Sequence, residues 1–167
     1  VFFLNLISSA FAQNEYQIQQ AVDFYRTNKF RTGEWNNSLS ESEIDGSPYL
    51  NDEFVNGTIY TNSKQKFIDI PLRYNIYNDA LEFKNMEEQI QEMATPEILE
   101  SAEFGNYTMV YSPYSINKKV HHGFFQVVVS GEASLYLRSN ILFKKAEKPA
   151  AYKEAVPAQF YKKPDTY

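Results

Sequence analysis

The chain has 167 residues, 16 Lys and Arg against 21 Asp and Glu, a formal net charge of −5, two His and no Cys. That length suits one domain with an ordinary core, and 43% hydrophobic with 16% aromatic residues excludes disordered, collagen-like and low-complexity classes. The acidic balance argues against a nucleic-acid binder, and zero Cys excludes disulfides, thiol nucleophiles and thiolate metal sites.

Residues 1–12 read VFFLNLISSAFA, uncharged and apolar apart from Asn5 and two serines. An apolar stretch ending in Ala10-Phe11-Ala12 predicts a secretory signal peptide cut after Ala12. The mature chain then begins at Gln13, has no transmembrane segment, and is periplasmic or extracellular. A membrane helix would need about 20 apolar residues, and Glu15 arrives before that.

Residues 13–45 divide into a helix and a linker. Ile18, Val22 and Tyr25 recur at helical spacing over 14–30, with Asn14 as N-cap. Gly33, Asn36, Asn37, Ser38, Gly46, Ser47 and Pro48 mark 32–48 as a turn-rich loop, within which Trp35 is expected to plug onto the core.

From Phe54 the period changes to two. In FIDIPLRYNIY (67–77) the even positions Ile68, Ile70, Leu72, Tyr74 and Ile76 are apolar, which predicts a strand with one buried face. Pro71 marks an edge, a bulge or a break. Asn78-Asp79 reads as a turn into a strand holding Leu81 and Phe83. The stretch 86–103 carries both helical and strand patterns, and irregular or strand structure ending near Pro96 is expected. Tyr107, Met109 and Tyr111 alternate up to an expected turn at Ser112-Pro113.

Phe124 to Val129 is apolar on both sides except Gln126, as in a central strand covered on both faces. After a turn at 130–132, the odd positions Ala133, Leu135, Leu137, Ile141 and Phe143 predict one further strand. The β domain spans 46–148. Pro149, Pro157 and Pro164 make 149–167 an extended arm. The expected fold is mainly β: seven or eight strands in an antiparallel meander, forming a sandwich or a partly open barrel, with a short N-terminal helix.

The segments GSPYLNDEFVNGTIYT (46–61), IPLRYNIYNDALEFK (70–84), GFFQVVVSGEASLYLR (123–138) and PAQFYKKPDTY (157–167) resemble a family of exported envelope proteins of the Bacteroidota that has no assigned activity. PLRYNIY is the most specific piece. The resemblance implies an envelope location in a diderm bacterium and carries over no catalytic residue. It also implies a basic helical tail beyond the segment matching Asp165-Thr166-Tyr167.

Chemical motifs are sparse. His121-His122 are adjacent, so on a strand they face opposite ways and cannot share a metal; solvated loop histidines are expected, with no metal and no cofactor. A G-x-S-x-G elbow and a Gly-rich phosphate loop are absent from the sequence. Asp69, Asp79 and Glu82 are the carboxylates that could pair for glycoside hydrolysis. Asn56-Gly57-Thr58 and Asn106-Tyr107-Thr108 read as turn chemistry. Residues 79–103 hold eight acids and one base, whereas 116–163 hold nine bases and three acids. Such bipolarity can orient a partner or serve internal complementarity.

These features favour a non-enzymatic interaction or assembly module whose partner is an envelope protein. The alternative is a glycan or small-ligand binder using aromatics on an open sheet face. Arg73, Asn75 and Tyr77, with Asp69, share the odd face of the best strand and form the expected recognition surface, since Arg and Tyr are enriched at such surfaces.

Overall fold

The computed structural model describes residues 44–147, 149 and 154–166. The expected signal segment, the expected helix at 14–30 and Trp35 lie outside the described residues.

Eleven strands run β1 (Ile44–Asp45), β2 (Val55–Thr61), β3 (Lys66–Asn75), β4 (Ala80–Lys84), β5 (Ile90–Glu92), β6 (Leu99–Phe104), β7 (Tyr107–Ile116), β8 (Lys119–Val129), β9 (Leu135–Leu137), β10 (Ile141–Lys144) and β11 (Ala158–Lys162). Eight form one antiparallel sheet in the order β5-β4-β3-β2-β6-β7-β8-β9. Two four-strand meanders are thus joined through the β2–β6 pair. The chain returns from the edge strand β5 to the centre by a short 3₁₀ turn, Pro96–Ile98. That turn is held to the β2–β3 connection by Asn62, whose backbone N–H donates to the Ile98 carbonyl and whose side chain donates to the Glu97 carbonyl. A smaller sheet, ordered β1-β11-β10, shares the same core through Ile44, Ile141, Ala158 and Phe160. The sheets do not close into a barrel, and among the described residues no helix is long and apolar enough to cross a membrane.

The alternation read from PLRYNIY is present: Ile70, Leu72, Tyr74 and Ile76 are buried. It fails one step earlier. Phe67 is buried and Ile68 is 43% exposed, because Asp69 adopts a left-handed backbone (φ 56°) where the register against β2 shifts. An extra residue in one strand reverses the inward parity on its far side. Gly57 lies inside β2 at this shift rather than in a turn, since a Cβ there would collide with the Glu103 carbonyl, Phe104 and Leu72.

Four other expectations change. β7 runs through Ser112-Pro113 to a two-residue turn at Asn117-Lys118, both with positive φ (52° and 63°). This pattern matches the twist of a tight hairpin. Pro113 is tolerated because β6 pairs with β7 only as far as Met109. β8 is not covered on both faces throughout: Phe124 is buried, but Val128 and Val129 emerge. The single strand expected at 133–143 is two, β9 in the large sheet and β10 in the small one, parted where Arg138 bridges to Thr166. Within the expected arm, Ala158–Lys162 forms the central strand of the small sheet, with Pro157 and Pro164 just outside it.

Residues 48–50 take the place beside β3 that β2 vacates after the Val55–Leu72 pair. Tyr49 bridges to Asn75, the Leu50 N–H donates to the Tyr74 carbonyl, and the Ile76 N–H donates to the Pro48 carbonyl. Leu72, beside this junction, is completely buried. Leu72→Ala should therefore destabilise the protein by about 2–5 kcal/mol in urea unfolding. The same substitution at exposed Ile68, on the other side of the bulge, should change stability by about 0.5 kcal/mol or less.

Candidate functional site

Two charged clusters hang on the β3–β4 hairpin. In the first, Arg73 and Glu82 are register partners on adjacent strands. Arg73 donates to Glu82 Oε2 from Nε at 3.1 Å and from Nη2 at 2.7 Å, and to the Asp52 carbonyl from Nη1 at 3.0 Å. Asn75 donates to the other oxygen of Glu82 at 2.9 Å, and its own carbonyl accepts from the Asn78 N–H. The guanidinium stacks 3.6 Å from the Tyr49 ring centroid and 4.4 Å from that of Phe54. Flat delocalised Arg suits both contacts, where a lysine would not. The segment from Pro48 to Phe54 thus lids an ion pair with side chains only 12% and 6% exposed.

In the second cluster Asp79, in a left-handed turn conformation (φ 53°), reaches across to β8. Its Oδ1 accepts from the Tyr74 hydroxyl at 2.7 Å and from the Phe124 backbone N–H at 3.1 Å; its Oδ2 accepts from Arg138 at 3.0 Å. Arg138 also donates to the Phe124 carbonyl at 3.3 Å and sits over the Tyr114 and Phe125 rings. The β9 ladder on β8 begins only at Gln126, so Asp79 and Arg138 together serve Phe124 as a side-chain substitute for a strand partner. Gly123 makes room, because a Cβ there would strike both charged groups. Burial raises the Tyr74 phenol well above its usual value, and the Asp79 charge and hydrogen bond raise it further, against an opposing effect of Arg138. For Arg138, burial acts to lower the pKa, but the Asp79 carboxylate outweighs it and the guanidinium is held above its usual value.

Of the expected recognition residues, Arg73 and Asn75 meet on Glu82, and Asn75 is buried. Tyr77 lies apart, with its ring edge against Phe160 (5.4 Å between centroids) and Phe143 (6.4 Å), joining the hairpin tip to the small sheet. Asp69 belongs to the bulge. Asp79 and Glu82 sit in different clusters, each held by a guanidinium and further donors. His121 and His122 lie in β8, not in a loop. They stack on Tyr114 and Tyr111 respectively, and no group of three or more metal-ligating side chains occurs among the described residues. The sequence did hold one signal for the second cluster: a glycine inside a strand, Gly123, marks a close approach.

The surface offers two kinds of feature. An open depression of about 320 Å³ is lined by Tyr60, Lys64, Gln65, Glu100, Ser101 and Glu103, one aromatic among polar groups. That depression lies on the central strands β2 and β6; at the β9 edge of the sheet apolar side chains are exposed, where Val129 opposes Leu135 and Val127 opposes Tyr136. Val129 is 53% exposed, and Leu135 and Tyr136 are also exposed. No family model, curated protein or solved structure matches the chain.

Arg73→Ala should leave Glu82 buried without its cation and cost about 3–5 kcal/mol. Replacing Arg73 and Glu82 together by Met and Leu should cost clearly less, and urea unfolding of the three proteins checks this order. The second cluster predicts an alkaline effect. The folded Tyr74 keeps its proton while the unfolded phenol loses it near pH 10, so its contribution is complete below that pH. Above it, stability should fall by up to about 1.4 kcal/mol per pH unit. Tyr74→Phe should flatten this decline in denaturation series across alkaline pH; an unchanged slope would assign the loss to other groups.

Proposed function

We propose that the protein is a non-enzymatic, exported envelope protein, an interaction or assembly module built as a sandwich or a partly open barrel. The single observation that carries this reading is the register pair Val129 and Leu135, left in solvent at the β9 edge of the large sheet. Exposed apolar side chains beside unpaired backbone favour pairing with another polypeptide. Export is supported by the apolar segment ending in Ala10-Phe11-Ala12, and an envelope setting by the resemblance to exported Bacteroidota proteins.

The glycan-binding alternative would need a concavity lined by aromatic rings. The depression around Tyr60 has one ring, with Lys64, Glu100 and Glu103 at its wall, so it supports that alternative less well.

Cross-linking and affinity capture of the full-length protein in its native envelope tests the reading. The wild type should retain a stoichiometric protein partner, and Val129→Asp combined with Leu135→Asp should lose it without lowering the melting temperature. Undiminished capture by the double variant would overturn the assignment of the edge. Retention of glycans that Tyr60→Ala abolishes would favour the alternative.

A further inference from the structure

The outer face of β7, β8 and β9 is apolar. Register pairs set which side chains share it: Val110 with Phe125, Tyr114 with His121, and Val127 with Tyr136. Their sequence neighbours Met109 and Phe124 are buried in the core, so this set faces outward. Its rings run in one line across the strands. His121 stacks on Tyr114 at 5.5 Å, Tyr114 meets Phe125 edge to face at 5.3 Å, and Phe125 meets Tyr136 at 6.3 Å. Arg138, paired with Asp79, packs against the Tyr114 and Phe125 rings above Gly123, so its charge is matched within the face. The solvated face of an antiparallel sheet is normally polar. Here the line of rings ends in exposed side chains, His121 on one side and Tyr136, 43% exposed, on the other.

Charges stand at the two ends of this face. Lys118 and Lys119 are at the tip of the β7–β8 ribbon, and residues 104–131 contain no acid. Glu132 follows β8 in the turn to β9, at the opposite end. Glu103 on β6 joins it there, because it pairs with Thr108, next to the Met109–Gln126 pair. Ala102 and Phe104 on either side of Glu103 are buried, so Glu103 points outward as well. All four charged residues are exposed. The face is thus basic at one end, acidic at the other and apolar between, with Phe125 near its middle.

Resting on the reading of the protein as an assembly module, we propose that two copies pack this face against itself, about a two-fold axis that crosses the strands near Phe125. Such an axis sets β8 antiparallel to its copy. Lys118 and Lys119 of each chain then meet the Glu103 and Glu132 end of the other. The rings and valines fill the space between, as the facing side chains of two aligned sheets do. One patch meets its own copy, so the contact is isologous and closes at a dimer. A partner of uniform charge would leave one end of the face unmatched, which makes a second copy the better fit.

Sedimentation equilibrium of the full mature chain, at two salt levels, tests the proposal. The wild type should dimerise, about tenfold or more weakly at roughly 0.5 M salt, where screening shortens the reach of exposed charges. Phe125→Thr with Tyr136→Thr should be monomeric. Lys118→Asp with Lys119→Glu should be monomeric, and so should Glu103→Lys with Glu132→Lys; Asp suits the left-handed backbone at 118. Mixing the two charge-reversed proteins should restore the dimer, and so should all four changes in one chain, which a folding defect could not do. A monomeric wild type, species larger than a dimer, or a dimer that survives both reversals overturns the proposal. A monomeric wild type whose melting temperature falls on Phe125→Thr with Tyr136→Thr overturns it in favour of cover by the same chain. If a monomer still captures an envelope protein through Val129 and Leu135, the dimer fails while the interaction reading stands; if that capture also fails, both fall.

Discussion

The Asp79 carboxylate is the contact on which the arrangement of the sheet turns. Sheet order separates the β3–β4 hairpin from β8 by β2, β6 and β7, yet Asp79 at the hairpin tip accepts a hydrogen bond from the backbone of Phe124. An antiparallel sheet of eight strands could twist open in many ways. One carboxylate, holding a phenol, an amide and a guanidinium at once, ties the tip of one meander to the middle of the other. It also resolves a local difficulty, because the backbone of Phe124 lies beyond the last β9 pair. Left unpaired and partly buried, those backbone groups would carry a desolvation cost.

The same hairpin carries the second internal ion pair, Arg73 with Glu82, and the Tyr77 ring that meets the small sheet. Its polar residues therefore act inward in three directions. A buried ion pair is weak evidence of net stabilisation, since desolvating two charges offsets their attraction. Its directional demands are clearer: a fork donor and an amide around one carboxylate, with two aromatic faces on the guanidinium, admit few alternative packings. The lid from Pro48 to Phe54 follows from that geometry, because only this segment supplies the Asp52 carbonyl and the Tyr49 and Phe54 faces.

Among the described residues, the far edge of the second meander carries exposed apolar and basic side chains. The β7–β8 ribbon arises because β9 is short: three residues of β9 pair only with the Gln126–Val129 end of the eleven-residue β8 and leave the other end bare. Natural sheets usually blunt their edges with charge, as Lys118 and Lys119 do at the tip, and the exposed Val120 beside them runs against that habit.

The period-two pattern of FIDIPLRYNIY and of Leu81 and Phe83 determined the β class and the buried set Ile70, Leu72, Tyr74 and Ile76, because alternation fixes which side chains share a face. Alternation is blind to an inserted residue. The bulge at Asp69, which exposes Ile68 and buries Phe67, follows from pairing with the glycine-bearing strand β2, a contact between strands that the alternation within one strand does not encode. The odd face of the same strand named Arg73, Asn75 and Tyr77 as neighbours, yet only Arg73 and Asn75 meet, on Glu82, while Tyr77 turns to the rings of Phe143 and Phe160. The division of 133–143 between two sheets, and the position of the hairpin turn at Asn117-Lys118 instead of Ser112-Pro113, depend on where neighbouring strands stop. Composition and spacing thus determine what each strand buries. Where a strand ends, and what its edge then meets, depends on contacts between residues as far apart as Asp79 and Arg138, which only the tertiary structure brings within hydrogen-bonding reach.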